Sequence, residues 1–414
     1  MIHISLSPNL QNDDVITAVR RIFLFWEWKK KKYIKELKRE FCRYFGVKKT
    51  YLFNSGRSAL FVFLKSLNLK ADDEIILQSF TCNAVVNPIL WAGAKPIYTD
   101  IDETFNINTK ELEKHINKNT KAIVVQNTFG IPAQIDKILS IAKEHSLLVI
   151  EDCAHSLGAT YKEKKVGTFG DVAFFSFGRD KVISSVYGGA LIINNKILED
   201  NLLEEYKKVS HASFLWVLQQ LAHPMITYIV LLTYDFGGKH LLYLSQKLKL
   251  LSKAVTQLER RGRRPKYFPR RLPDSLAALA LNQFKKLDEL NQHRRELARI
   301  YENNFKNRED VICVENYDRG AVWLRYPVIH SDANKIRLQA KSRGMILGDW
   351  YKEVIAPRGT DMNIVKYKTK SCKTAEYVAP KILNLPTNIR TGKLEAQEVA
   401  SFIKAYNWKQ RFKK

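Results

Sequence analysis

The chain has 414 residues, 45% of them apolar, and carries 68 Lys and Arg against 42 Asp and Glu, a formal charge of +26. That apolar content excludes global disorder, the length implies about two or three domains, and the charge implies an anionic partner: nucleic acid, an acidic membrane or a phosphorylated substrate. Five scattered cysteines without a C-x-x-C pair exclude a disulfide framework and a zinc cluster, and suit a reducing cytoplasm.

In chain order, the opening residues Met1-Ile2-His3-Ile4-Ser5 lack a signal-peptide pattern. Residues 13–46 read as helix, with Trp26 and Trp28 running into four lysines at 29–32. From 50 to 200, short apolar runs alternate with polar helical stretches. Strands are predicted at 50–53, 74–77, 96–99, 122–126, 147–151, 172–176 and 190–194. Helices are predicted at 57–66, 84–92, 109–116 and 135–144. The alternation predicts an α/β fold with a doubly wound, mostly parallel sheet, whose ligands bind at the carboxyl ends of the strands. Residues 209–234 contain no Lys, Arg, Asp or Glu, whereas 239–271 carry eleven Lys and Arg and one acid, Glu259. A long helix is predicted at 277–310. A smaller α+β domain follows at 320–414, with a strand at 322–329 and a final helix near 395–406. The expected division is 1–47, an N-terminal helical segment; 48–208, the large α/β domain; 209–271, an apolar and basic insert; and 272–414, a connecting helix and the small domain.

Three strings carry chemistry. Asn54-Ser55-Gly56-Arg57-Ser58 falls at a strand-to-helix junction, where backbone N–H groups and the helix dipole hold a phosphate, or where hydroxyls cap an ordinary helix. Asp152, in Glu151-Asp152-Cys153-Ala154-His155, ends an apolar run and reads as a ligand carboxylate, a helix cap or a surface ion-pair partner. Lys181 ends Ser176-Phe177-Gly178-Arg179-Asp180-Lys181, 29 positions after Asp152, and alone would read as a solvated lysine. In this order, each near a strand end, they make a complete site for pyridoxal phosphate. The lysine links covalently to the cofactor, and the aspartate keeps the pyridine nitrogen protonated so that the ring acts as an electron sink.

With these strings the sequence resembles the DegT/DnrJ/StrS family of nucleotide-sugar aminotransferases, in the fold type I class of pyridoxal phosphate enzymes. Gly93-Ala94-Lys95-Pro96, Gly167-Thr168-Phe169-Gly170-Asp171, Arg294-Arg295 and Leu383-Asn384-Leu385-Pro386 also look like it. The resemblance implies that Lys181 is the linking amine and proton shuttle and that Asp152 pairs with the ring nitrogen. It assigns Gly56, Arg57 and Ser176 to the phosphate and counts Ser58 among the cofactor-binding residues. His155 stands where the family commonly has Gln, near the pyridoxal hydroxyl, and is expected to have a pH-sensitive charge. The implied reaction is amino transfer to a nucleotide-linked keto sugar, with glutamate as donor, in a homodimer with shared active sites. Two positions depart from the family pattern. Cys82 follows Ser79-Phe80-Thr81 where the family has a stacking aromatic, and Pro269 replaces the Asn two residues before Arg271. The alternatives are a pyridoxamine-dependent sugar dehydratase, against which Lys181 argues, and a non-catalytic membrane-associated protein that keeps the fold.

The uncharged run 209–234 is long enough to span a bilayer. A single crossing would split one enzyme across two compartments. His223-Pro224 predicts a break into two shorter helices. These either form a hairpin resting on the inner face of an anionic membrane, helped by the basic residues nearby, or lie buried in a dimer interface or the core. No DNA- or RNA-binding motif is present, so no nucleic-acid partner is expected.

Overall fold

The computed structural model describes every residue except 1, 6, 249, 310, 315–319 and 412–414. Seven strands form the central sheet: β1 (Thr50–Phe53), β2 (Glu74–Gln78), β3 (Lys95–Thr99), β4 (Thr120–Gln126), β5 (Leu148–Asp152), β6 (Val172–Ser176) and β7 (Gly189–Ile193). Their order is β1-β7-β6-β5-β4-β2-β3. Strands β2 to β6 run parallel, and β7 is antiparallel to both of its neighbours. Because β1 opposes β7 as β6 does, β1, β5 and β6 all point their carboxyl ends to one rim. Runs such as Ala122-Ile123-Val124-Val125 are buried throughout, as a sheet covered on both faces requires.

The helices that matter for the site are α1 (Asn12–Phe23), α2 (Lys32–Phe45), α3 (Gly56–Ser66), α4 (Asn83–Trp91), α5 (Ile135–Glu144), α6 (Phe214–Leu232), α7 (Gly238–Lys247), α8 (Asp274–Phe284), α9 (Leu287–Phe305) and α10 (Lys393–Arg411). The predicted helix at 13–46 is two helices. A 3-10 turn at Phe25–Lys30 separates them, and Lys31 takes a left-handed φ of 53°. Trp28 Nε1 donates to Arg21 O at 2.7 Å, which satisfies a carbonyl at the end of α1. The predicted helix at 277–310 likewise breaks at Lys285-Lys286 between α8 and α9. The expected break at His223-Pro224 does not occur: α6 runs unbroken from Phe214 to Leu232 through Pro224. The chain turns instead at Thr233–Gly237, where Gly237 has a φ of 108°.

One apolar core joins all four stretches of the chain. It takes Leu37 and Phe41, then Phe175 and Phe177, then Val217 and Leu221, then Leu276 and Phe284. The small domain has an antiparallel sheet of β8 (Ile312–Cys313), β9 (Tyr326–Ile329) and β10 (Ile382–Leu385), covered by α9 and α10. Two short parallel pairings tie this domain to the rest. Ile2–His3 pairs with Met345–Ile346, and Thr81–Cys82 pairs with Ile355–Ala356.

Candidate active site

At the rim, β1 hands over to α3 within three residues. Ser55 is the N-cap, and its Oγ accepts from Ser58 N–H at 3.1 Å. Gly56 and Arg57 therefore sit in the first turn, where N–H groups have no acceptor inside the helix and the dipole favours an anion. A Cβ on Gly56 would lie 3.2 Å from both Phe175 O and Ser176 Cβ, so the turn is pressed against the end of β6. Gly189 is needed for the same approach. A Cβ there would sit 2.5 Å from Gly56 N and 2.7 Å from Phe175 O. The result is a close-fitting cradle for a phosphate.

Ser58 takes no part in the cradle wall. It is fully buried and its Oγ donates to Asn54 Oδ1 at 2.7 Å, so its hydroxyl completes the cap and is turned away from the cavity. This departs from its expected place among the cofactor-binding residues. Arg57 does line the cavity, with its guanidinium ion-paired to the buried Glu259 and donating to Ala254 O at 2.9 Å. Arg179 is held in the same way by Ser252, at 2.5 Å to its O and 2.9 Å to its Oγ. The segment after α7 thus ties two arginines beside the cradle.

Asp152 closes β5 and is 3% exposed. Its Oδ1 accepts from Ala154 N–H at 2.9 Å. Burial pushes its carboxyl up to about 6, with the Ala154 bond and Lys181 pulling the other way. Lys181 lines the same cavity, partly buried. Burial brings its amine down to about 8; Asp152 and Cys82 oppose that shift and Arg325 adds to it. The amine is therefore neutral in a much larger fraction near neutral pH than an ordinary lysine, which favours its use as a nucleophile. The lysine is also fixed from behind. Asn9 Nδ2 donates to Lys181 O at 2.6 Å, and the buried Arg294 donates to Asn9 Oδ1 and Val182 O, each at 2.8 Å.

His155 is buried, with Nδ1 accepting from Phe129 N–H at 3.3 Å and Nε2 3.2 Å from Tyr351 Oη. That pattern assigns its proton to Nε2. Burial, helped by Lys181 and Arg325, drives its pKa well below the usual range, so the ring stays neutral. The expected pH-sensitive charge is corrected accordingly.

Cys82 lies on the cavity wall and cannot stack on a ring; its Sγ accepts from Ala84 N–H at 3.5 Å. Aromatic faces come instead from the loop before Ile355. Trp350 stacks on His155 at 5.4 Å, with Lys181 Nζ 5.0 Å from its ring centre and the Arg325 guanidinium 3.5 Å from it. Tyr351 packs between Phe80 and Phe129. The backbone beside Pro269 is engaged outside the cavity: Asn54 Nδ2 donates to Tyr267 O and Arg270 N–H donates to Asn54 Oδ1. Sequence reasoning missed Asn9, Arg179, Arg325 and Trp350 as parts of this site. Trp350 is brought near Cys82 by the pairing of Ile355–Ala356 with Thr81–Cys82, 274 positions apart, which no local pattern announces.

These groups share one cavity of about 690 Å³, lined by Gly56, Asp152, His155, Ser176, Lys181 and Trp350 among others. An amine, a buried carboxylate, a glycine cradle and two tethered arginines fit pyridoxal phosphate, with room for a substrate beside it.

Comparison with known proteins agrees with this fold. The model of a family described as the DegT/DnrJ/EryC1/StrS aminotransferase family matches residues 10–213 and 251–404. Uncharacterized protein MJ1066 of Methanocaldococcus jannaschii is 30% identical over 363 residues, covering 84% of this chain and 82% of that protein. A UDP-4-amino-4,6-dideoxy-N-acetyl-beta-L-altrosamine transaminase of Campylobacter jejuni is 31% identical over 304 residues, covering 72% of this chain and 69% of its own. The fold matches that of the putative sugar aminotransferase Spr1654 from Streptococcus pneumoniae in its PLP form, with a TM-score of 0.74, 19% identity and 97% of each chain covered.

Proposed function

We propose a function from one premise: the chain belongs to the DegT/DnrJ/EryC1/StrS aminotransferase family. It is a pyridoxal phosphate-dependent sugar aminotransferase of fold type I. Its acceptor is a nucleotide-linked keto sugar, used in cell-surface polysaccharide or related sugar biosynthesis. The observation that carries this reading is the meeting of Lys181, Asp152 and the open end of α3 in one cavity.

When bound, pyridoxal phosphate supplies the electron sink that stabilises negative charge at the donor carbon. The residues around it have separate roles. The Gly56 and Arg57 N–H groups would hold the phosphate, with Ser176 beside them. Asp152 would keep a proton on the ring nitrogen. Lys181 Nζ would be the attachment point for the cofactor and the group that moves a proton beside it. His155 donates from Nε2, and Trp350 excludes water from the amine. Arg179, Arg260, Lys352 and Arg358 give the cavity a cationic wall, which suits both a dicarboxylate donor such as glutamate and a nucleotide diphosphate.

A homodimer, a cytoplasmic location and peripheral contact with an anionic membrane complete the proposal. The support for the dimer or membrane contact is an exposed apolar ridge of Phe23, Phe25, Trp26, Phe214 and Leu215 next to the exposed lysines 29–32. A transmembrane role for α6 is not proposed: Val217, Leu221 and Val230 are buried on its inner face. The test of the reaction is spectroscopic. Protein mixed with pyridoxal phosphate should gain an absorbance band that borohydride fixes onto Lys181 and that Lys181→Ala abolishes. Protein loaded with pyridoxamine phosphate should regain the band when offered a nucleotide-linked keto sugar. A chain that takes up no cofactor overturns the proposal.

A further inference from the structure

Residues 214–250, which hold α6 and α7, fall between the two stretches of the family match. The insertion nevertheless reaches the cradle end of the cavity. Gln220 of α6 is fully buried, and its Oε1 accepts from Ser252 Oγ at 2.7 Å. Ser252 in turn accepts two bonds from the Arg179 guanidinium, one on its O and one on its Oγ. Trp216 of α6 packs edge-on against Tyr187, whose hydroxyl donates to Lys253 O. The inserted helix thus fixes residues 252 and 253 and, through them, Arg179 on the loop between Ser176 and Lys181.

A phosphate monoester carries a charge of about −1.5 to −2 near neutral pH, whereas a helix N-terminus offers about +0.5. The open end of α3 therefore leaves most of a cofactor phosphate's charge to side chains. Arg57 contributes little of it, because its guanidinium is ion-paired to the buried Glu259. Pro269 contributes no side-chain donor where the family pattern has Asn, and it does not line the cavity. Arg179 differs from both. It lines the cavity beside Gly178 and Ser176, and Gly56 is pressed against that same Ser176. Its hydrogen bonds to described residues go to the neutral oxygens of Ser252, while the adjacent Asp180 acts on Lys181 and Arg325. Its Nε is enclosed, but each terminal nitrogen keeps a second N–H beyond the one used on Ser252. Three other wall cations sit elsewhere: Lys352 and Arg358 come with the small domain, and Arg260 lies against Gly359 of that domain.

We propose that Arg179 is a cofactor-binding residue, holding the phosphate from within the same chain in the role that Pro269 leaves open, and that Gln220 of the insertion is its positioning residue, acting through Ser252. The proposal rests on the pyridoxal phosphate reading and adds a residue that the family pattern does not supply. The test compares pyridoxal phosphate with pyridoxal, which lacks the phosphate, by absorbance titration of the cofactor-free full chain. Arg179→Gln should weaken pyridoxal phosphate by about ten- to a hundredfold, the scale of hydrogen bonds to a charged group, and leave pyridoxal unchanged. Arg179→Lys should recover part of that loss, since it keeps the charge and loses the fork. Gln220→Leu should weaken pyridoxal phosphate about threefold, the scale of one neutral hydrogen bond, again without moving pyridoxal. That variant keeps the test valid if the Arg179 variants do not fold. Co-purified Arg179→Gln and Lys181→Ala chains should fix no more cofactor under borohydride than Arg179→Gln alone, because each site draws both groups from one chain. An unchanged pyridoxal phosphate affinity in Arg179→Gln or in Gln220→Leu, an equal loss for both compounds, or recovery of fixed cofactor in the mixture overturns the inference. The pyridoxal phosphate reading survives each of those results; it fails if the wild type gains no absorbance band with either compound.

Discussion

Asp152 and Lys181 were legible as candidates because Asp152 ends an apolar run and Lys181 follows one within five residues, and a strand end is a local property of sequence. Their surroundings were not. Asn9 reaches Lys181 from 172 positions away, and Trp350 arrives from the small domain. The ionisation of His155 could not be read either, because it depends on burial by Phe129, Trp350 and Tyr351. Two outcomes follow at this scale. With the Lys181 amine near 8, its neutral fraction rises as pH increases, so the rate of covalent cofactor capture should climb about tenfold per unit below about pH 7 and level off above about 9. Stopped-flow absorbance measures this; a flat rate between pH 6 and 9 contradicts it. His155, held neutral well below its usual range, contributes no ionisation between pH 6 and 8. His155→Gln should therefore leave the shape of the kcat/KM profile unchanged over that interval, even where its height falls.

The seven central strands differ from their predicted spans by at most two residues at either end, because buried parallel strands announce themselves as continuous apolar runs. Helix ends in contact with other parts of the chain were harder. Pro224 predicts a break because it removes a hydrogen bond and crowds the preceding turn, at about 3 kcal/mol. In the fold His223 and Pro224 both lie buried on the inner face of α6, which packs on α1 and α8, and that packing outweighs the local cost. Two predictions belong to elements. Gly189→Ala should force the start of α3 off β7, costing about 1–3 kcal/mol and weakening cofactor affinity together, read by denaturant midpoint and cofactor titration. Glu259→Ala leaves the half-buried Arg57 without its carboxylate and removes the capping box at Thr256, so a loss of about 2–4 kcal/mol is expected in urea unfolding. A loss under about 1 kcal/mol would mean that the pair is effectively solvated.

At the scale of the molecule, the charge of +26 implied an anionic partner without naming it, and the cationic cavity wall accounts for only part of it. The remainder includes the lysines at 29–32 beside the exposed ridge of Phe23, Phe25 and Trp26. Phe214 joins that ridge, 5.0 Å from Trp28 and 6.1 Å from Phe25. Flotation should carry the protein up with vesicles containing anionic lipid and leave it behind with neutral ones. Raised salt and a Phe25→Ser/Trp26→Ser pair should each reduce the floated fraction. Protein that stays at the bottom with both lipids rules out the membrane contact. If the ridge is instead covered by a second copy, the double variant should shift light-scattering mass towards the monomer.

The placement of His3 and Asn9 has a temporal side. His3 O accepts from Asn388, 385 positions further on, and Asn9 waits on Val182 and Arg294. Asn9, which steadies Lys181, is made 285 positions before Arg294, the last of its partners. At about 5–20 residues per second that interval is roughly 14–57 s. The large sheet, whose last strand ends at Ile193, can form before Arg294 is made, so the nascent sheet should be assembled well before the amine acquires its final setting.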